Sequence, residues 1–443
     1  MSSARPYVID LLRLAGPVAL ARLGIIGMGL VDVVVVGQLA PDELPHQALG
    51  WAPTAVFLVA AIGLLQGVQV LTARVLGEGR PNEAGVVLRR GLVLALIAGL
   101  LSSALMWLGG ERLFTIFGVE ANLAAPSTPV MMVLALSVPL HLLYVAGTFF
   151  LEAIKKPGIS SAVMWLANIV NLALNLWWVP EYGAIGSAWA TVGARVFLAG
   201  AILVCIMLLR EGAHFGVRAN RGHGPGYRAL LAIGVAAAVS QAVEAGAFSA
   251  MTVIAGRIGA DVVAAYQIVL NLLALIFMLA LGMAAAIAVL VSEAVGRGAP
   301  QDAARAGWTG IGLNAVTMLL SAAVILAFAQ PIGRAYTADI EIAALIGSLM
   351  WIAALILHPD GAQVVAASAL RARGDNWFPT ASHILAYAII MPGLATYWGE
   401  VQGHGVAGIM WAIFIGSVVS VAVLAGRLLA LTARRTARPA AAQ

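Results

Sequence analysis

Charge is what this chain has least of. Asp, Glu, Lys and Arg make up 10% of its 443 residues against 62% hydrophobic, and the mean hydropathy is +0.97. A soluble domain carries about a quarter charged residues, so an ordinary soluble fold is excluded. Cysteine is nearly absent too: Cys205 is alone, which rules out an internal disulfide and leaves a packed, inert thiol in an apolar helix. There is no His-Glu-x-x-His, no Gly-x-Ser-x-Gly and no paired His/Cys cluster, so an intramembrane enzyme lacks both a metal motif and an activated nucleophile. Gly77-Glu78-Gly79-Arg80-Pro81 and Gly296-Arg297-Gly298-Ala299-Pro300 lack the Lys-Ser/Thr of a phosphate loop and read as turns that open a helix at proline. No filter-like loop supports a channel.

What is present is apolar sequence in runs of about 20 residues, the length that spans a bilayer. Twelve such spans are predicted, at 10–37, 48–73, 91–110, 127–151, 159–180, 184–209, 229–256, 262–292, 307–329, 343–370, 379–398 and 405–430. The first outruns a signal h-region and precedes no small-residue cleavage site, so it is expected to be an uncleaved helix. Most of the 25 Lys and Arg fall in alternate connections, among them Arg74, Arg80, Arg89, Arg90, Lys155, Lys156, Arg210, Arg218, Arg221, Arg228, Arg371, Arg373, Arg427 and Arg438. The positive-inside rule then places both termini in the cytoplasm. This location also explains the net charge of +5, so no nucleic-acid partner is implied.

The chain repeats itself. A gapless shift of 219 residues lays Val36-Gly37-Gln38-Leu39-Ala40-Pro41-Asp42 on Ala255-Gly256-Arg257-Ile258-Gly259-Ala260-Asp261 and one proline turn on the other. The predicted fold is therefore an all-α integral membrane protein of twelve transmembrane helices in two parallel six-helix halves. The halves run 1–210 and 229–443, with 211–228 as a cytoplasmic linker.

Three carboxylic acids interrupt this apolar background: Asp32, Glu244 and Asp360. A carboxylate at the bilayer centre costs about 3 kcal/mol on insertion scales. Removed from water, it either takes up a proton or holds a cation, so a cation-coupled transporter is implied. Helical spacing gathers polar neighbours onto the same faces. Asn168, Asn171, Asn175 and Trp178 share one face of the fifth span. Gln241, Glu244, Phe248 and Thr252 share one in the seventh, Gln267 and Asn271 in the eighth, and Asp360 and Gln363 in the tenth. Pro359 frees the carbonyl near Leu355. Asparagines at such spacing also serve as helix–helix glue. His141 falls opposite Asp360 under the repeat, as either a proton carrier or a packing contact. Arg195 pairs with an intramembrane acid or reaches a loop.

The chain resembles the multidrug and toxic compound extrusion (MATE) family. The likeness is carried by Leu11-Leu12-Arg13-Leu14-Ala15-Gly16-Pro17, Gly29-Leu30-Val31-Asp32, Glu244-Ala245-Gly246-Ala247-Phe248, Ala264-Ala265-Tyr266-Gln267-Ile268 and Asp360 through Arg371, and it extends over nearly the whole chain. An acid in the seventh helix and another in the tenth point to the NorM-like branch. Ala372 and Ile356 depart from the family pattern, the latter offering no polar group one turn before Asp360. The resemblance implies antiport across a bacterial cytoplasmic membrane. A monomer would exchange Na+ or H+ for cationic or amphipathic drug-like compounds, with no other cofactor. It also groups Asn171, Asn175 and Thr191 with Asp32 as one cation site, with Glu244 and Asp360 as a second Na+ or H+ site. Gln241, Gln267, Asn271 and Gln363 are the second site's polar neighbours. A lipid-linked oligosaccharide flippase of the same superfamily is the nearer rival, kept open by Arg22 and Arg195. A twelve-helix major-facilitator fold fits the topology but not these motifs.

Overall fold

A computed structural model of the chain describes residues 5–116, 119–218, 223–336 and 340–436; Arg221 and Arg438 lie outside these. Apart from loops the described chain is helical: α1 (Arg5–Leu39), α2 (Leu44–Gly77), α3 (Ala84–Gly109), α4 (Glu111–Ile116), α5 (Ala121–Ala153), α6 (Pro157–Met207) and α7 (Tyr227–Ile258). There follow α8 (Ala260–Gly296), α9 (Pro300–Ala327), α10 (Ala329–Tyr336), α11 (Ile340–Ala372), α12 (Trp377–His383), α13 (Met391–Ala395) and α14 (Gly405–Thr436). Among the described residues 11 helical stretches are long and apolar enough to cross a membrane. One of them, α6, runs 51 residues but breaks at Gly183, whose φ of 53° is open to glycine and costly for other residues. Its two arms are the spans expected at 159–180 and 184–209, which restores the count of twelve. The proline loops are turns, with Gly79 and Gly298 at positive φ, Pro81 opening a short 3₁₀ turn and Pro300 opening α9.

Two compact units divide the chain: Leu20–Ala238, and Met1–Ala19 with Val239–Gln443. The divisions after residues 19 and 238 are related by the 219-residue shift, so the repeat reaches the level of contacts.

In the Leu20–Ala238 unit, α5 packs against α2, α3 and α6. It is mostly apolar, which suits a helix enclosed by others, and it buries Met131, Leu142, Phe150 and Leu151. Gly63 and Gly67, a Gly-x-x-x-Gly pair on α2, let the start of α7 approach closely. A Cβ on Gly63 would stand 2.7 Å from the Ala238 Cα, and one on Gly67 2.6 Å from the Leu230 carbonyl. The loop after α6 is fastened to α3. The Gly85 N–H donates to the Phe215 carbonyl at 2.7 Å, and Arg89 donates to the carbonyls of Gly216 and Val217 at 3.0 and 3.2 Å. Arg90 reaches the carbonyls of Gly224 and Pro225. Arginines that mark a membrane side in the sequence thus also hold this connection.

In the other unit α11 is central and packs against α8, α9 and α14. Gly282, the repeat partner of Gly63, allows α1 to close in: a Cβ there would meet the Ala15 carbonyl at 2.7 Å. The span Trp377–Val401 departs from a plain helix. Its α-helical segments α12 and α13 alternate with π-helical turns at Ile384–Ile390 and Thr396–Val401. Pro392 at the start of α13 has no N–H to close an α-helical bond, and the widened turns accommodate the register change. Nothing in the hydropathy pattern signals this.

Candidate functional site

Asp32 sits within α1 at 8% exposure and meets both arms of α6. Because Gly183 folds the second arm back beside the first, donors twelve and eight residues before it and eight after it converge on one carboxylate. Asn171 and Asn175 donate from Nδ2 to Asp32 Oδ1 at 3.0 and 2.7 Å, and Thr191 donates from Oγ1 to Oδ2 at 2.7 Å. All three donors are neutral, and no ion pair among the described residues includes Asp32. Arg195 is the nearby cation, but its guanidinium donates to Ser137 Oγ at 2.7 Å and lies 5.2 Å from the Trp51 ring centroid. The side-chain carbonyl oxygens of Asn171 and Asn175 are buried with no hydrogen-bond partner. Amide and carboxylate oxygens are the hard ligands that alkali cations prefer. Beside them lies a cavity of about 20 Å³, lined by Asp32, Thr191, Arg195 and His141 among others; that is room for about one water. Asn168 is not part of this group. It donates to the carbonyls of Gly24 and Met164 at 3.0 and 2.9 Å and so ties α6 to α1.

The second acidic site joins α7, α11, the first π-helical turn and α14. Gln363, fully buried on α11, donates from Nε2 to Glu244 Oε1 at 3.1 Å, while its own Oε1 has no partner. Asp360, one turn earlier on α11, accepts from the Tyr387 hydroxyl at 3.3 Å and from Ser417 at 3.4 Å. Glu244 and Asp360 lie close enough for their charges to oppose each other, and Arg371 is the cation that offsets Glu244. Arg371 is fixed in turn: it donates to Ser240 Oγ at 2.7 Å, and Ser240 is 2.7 Å from His383 Nδ1. Aromatic rings close the site, with Phe248 6.4 Å and His383 5.4 Å from Tyr387 between centroids.

Of the expected neighbours, Gln267 donates to Thr252 at 3.1 Å and not to a carboxylate. Gln241 is half-buried and Asn271 exposed, and neither is hydrogen-bonded to Glu244 or Asp360 among the described residues. His358 is exposed, and Ile356 belongs to the apolar core.

Sequence reasoning missed Tyr387, Ser417 and Arg371, and it missed Glu152 altogether. Tyr387 was unreadable because a π-helical turn moves it off the face that ordinary helical spacing assigns. Glu152 was readable: an acid after Phe149-Phe150-Leu151 in an apolar span is the same signal as Asp32.

Among the described residues no group of three or more His, Cys, Asp or Glu could hold a metal ion, so a cation bound here would rely on mixed carboxylate, amide and hydroxyl oxygens. Comparison with known proteins agrees with the fold. The MatE family model matches residues 17–177 and again 236–396, once in each repeat. The probable multidrug resistance protein NorM of Caulobacter vibrioides is 42% identical over 424 residues, covering 94% of this chain and 90% of that one. Its namesake in Deinococcus radiodurans is 30% identical, with 95% and 94% covered. The crystal structure of the eukaryotic MATE transporter AtDTX14 superposes with a TM-score of 0.88 at 16% identity, covering 98% of each chain, which is a likeness of fold.

Proposed function

The chain belongs to the MatE family and is a membrane transporter rather than an enzyme; from that premise we propose that it is a cation-coupled antiporter exporting cationic, drug-like compounds. The observation that carries the reading is the setting of Asp32. A carboxylate inside a membrane helix, hydrogen-bonded only by neutral groups, lacks a permanent counterion. Burying an unpaired charge is costly, so the site favours a mobile positive charge, either Na+, H+ or a cationic substrate. One such site couples two opposing fluxes by competition, because the arriving cation displaces the leaving one. Glu244 and Asp360, with Gln363, Tyr387 and Ser417 around them, form a second acidic site suited to the same exchange. Phe248 beside it, only partly buried, offers an aromatic face to a cationic ring system.

The relatives' names support export of drugs, and the basic loops support a cytoplasmic-membrane location with both termini inside. The repeat halves 1–210 and 229–443 and a monomeric state belong to the same proposal. The flippase reading has weaker support. A pyrophosphate needs free guanidinium groups, whereas Arg195 is bonded to Ser137 and Arg22 lies beside Glu152, 5.5 Å from the Phe149 ring centroid.

The test is efflux of ethidium from proteoliposomes under an imposed proton gradient and, separately, a sodium gradient. Wild type is compared with Asp32→Asn, Glu244→Gln and Asp360→Asn. Gradient-driven efflux that these substitutions abolish supports antiport and names the ion. Absence of wild-type efflux under both gradients contradicts the reading for this substrate class.

A further inference from the structure

Glu152 is 2% exposed near the end of α5 and lies outside both acidic sites. Its Oε2 accepts a hydrogen bond from Gln69 Nε2 at 2.6 Å, while Oε1 has no hydrogen-bond partner. Arg22 from α1 approaches only to 3.9 Å, beyond hydrogen-bond reach, and is the charged group that faces Glu152 among the described residues. Tyr144 on α5 also faces it, though the Tyr144 hydroxyl donates to the Ser160 carbonyl at 3.1 Å.

The same face of α5 carries a file of polar side chains. His141, Tyr144, Thr148 and Glu152 are spaced three, four and four residues apart, and all are buried. Thr72 from α2, three residues after Gln69, is buried as well. His141 Nδ1, Thr72 Oγ1 and Glu152 Oε1 lack hydrogen-bond partners, and Thr148 lies within reach of Tyr144. Buried polar groups are satisfied in roughly nine cases of ten, so three exceptions near one helix mark a path that water or protons would join. At 1.5 Å per residue the file spans about 16 Å. At one end His141 lines the cavity it shares with Asp32, faced there by Arg22 and Arg195. At the other end α5 stops at Ala153, just before Lys155 and Lys156, on the side assigned to the cytoplasm.

The repeat shows that this is not a shared scaffold. Under the 219-residue shift Glu152 falls on Arg371, which in the second unit is hydrogen-bonded to Ser240, and His141 falls on Asp360. Only the first repeat has an acid at this position.

We propose that Glu152 is a second proton-binding carboxylate of the Leu20–Ala238 unit and the cytoplasmic-side exit for the proton held at Asp32. The inference rests on the antiport reading, with H+ as the coupling ion. A proton leaves Asp32 through the water-sized cavity to His141, whose ring takes it on one nitrogen and releases one from the other. It continues past Thr148 to Glu152 Oε1. Asp32 is left ionised, Glu152 becomes the protonated carboxyl, and its release to cytoplasmic water restores the starting state.

The experiment uses the full chain in liposomes. Infrared difference spectra between neutral and acid pH read the carbonyl stretch of protonated carboxyls without any drug substrate. A band that titrates in wild type is expected to vanish in Glu152→Gln and to persist in Asp32→Asn. Proton-driven ethidium efflux is expected to slow at least ~10-fold in Glu152→Gln while the dye's Kd stays within about two-fold. Glu152→Asp should retain most of the rate, Thr148→Val should lose part of it, and formate should rescue Glu152→Gln. An unchanged carboxyl band in Glu152→Gln, or efflux at the wild-type rate, overturns the proposal. So does a joint loss of dye binding, thermal stability and transport that formate and Glu152→Asp leave unrepaired, because Glu152 is then a structural partner of Arg22. A wild type that moves no dye but shows the Glu152 band contradicts the drug-export reading and leaves Glu152's proton supported.

Discussion

Replacing Asp32 separates charge from structure. In Asp32→Asn, the retained Oδ1 still accepts from Asn171 and Asn175, now at 3.0 and 2.7 Å. The new Nδ2 faces Thr191, now a donor to Oδ2 at 2.7 Å, but a hydroxyl rotates to accept as readily as it donates. All three hydrogen bonds survive, so the substitution should change stability by no more than about 1 kcal/mol. Asp32→Ala instead leaves the buried Asn171 amide without an acceptor, while Asn175 keeps its bond to the Asn171 carbonyl at 3.0 Å. The loss is about 1–3 kcal/mol. The assay is thermal unfolding of the detergent-solubilised protein, followed by tryptophan fluorescence, beside gradient-driven efflux in liposomes. Asp32→Asn should melt with wild type and transport nothing; Asp32→Ala should melt well below both. If Asp32→Asn still couples efflux to a gradient, or melts as low as Asp32→Ala, the assignment of Asp32 as a coupling charge held by a fixed donor set is refuted.

Further outcomes follow from the same geometry. Tyr387→Phe removes a hydroxyl 3.3 Å from Asp360, a long bond worth about 1 kcal/mol that favours the ionised carboxylate, so dye affinity should fall roughly five-fold by equilibrium titration. Gly234→Ala drives a Cβ to 2.0 Å from the Leu64 carbonyl and should cost about 1–3 kcal/mol in thermal unfolding. Gly312→Ala, with open space around its Cβ inside α9, should be neutral or stabilising by up to about 1 kcal/mol. At the surface, the Lys156 ammonium holds the Glu211 carboxyl below the ordinary carboxylate range. A lowered value contributes stability above the usual carboxylate range and loses it as pH falls through the lowered value. Because the pair is exposed to water, Lys156→Ala should return Glu211 to its ordinary titration in carboxylate-resolved NMR without shifting the melting temperature at neutral pH.

Much of this molecule was legible in its sequence because a bilayer imposes simple rules. Twelve apolar runs gave the spans, and a repeat visible in loop residues such as Val36-Gly37 and Ala255-Gly256 gave the halves. The Asp32 neighbours are a mixed case. Asn171 and Asn175 share a helix face by spacing, but Thr191 comes to them only through the fold-back at Gly183, which family resemblance supplied and spacing did not. At the second site Gln363 is one turn from Asp360 and could be placed. Gln267 and Asn271 were grouped by the same rule, yet they face Thr252 and the protein's exterior, because periodicity fixes which residues share a face and not what that face meets. Tyr387 was hidden by the π-helical turn, and Ser417 lies on α14, far along the chain.

In the proposed exchange the coupling ion and the exported cation contest one acidic site, so binding of one expels the other. The most direct measurement is ion release on dye binding: ethidium is added to purified protein in weakly buffered, sodium-loaded detergent solution, and H+ and Na+ are followed together. Release of one ion, saturating with dye occupancy and lost in Asp32→Asn or in Glu244→Gln with Asp360→Asn, is the predicted result. Dye that binds to saturation while neither ion is released would contradict it.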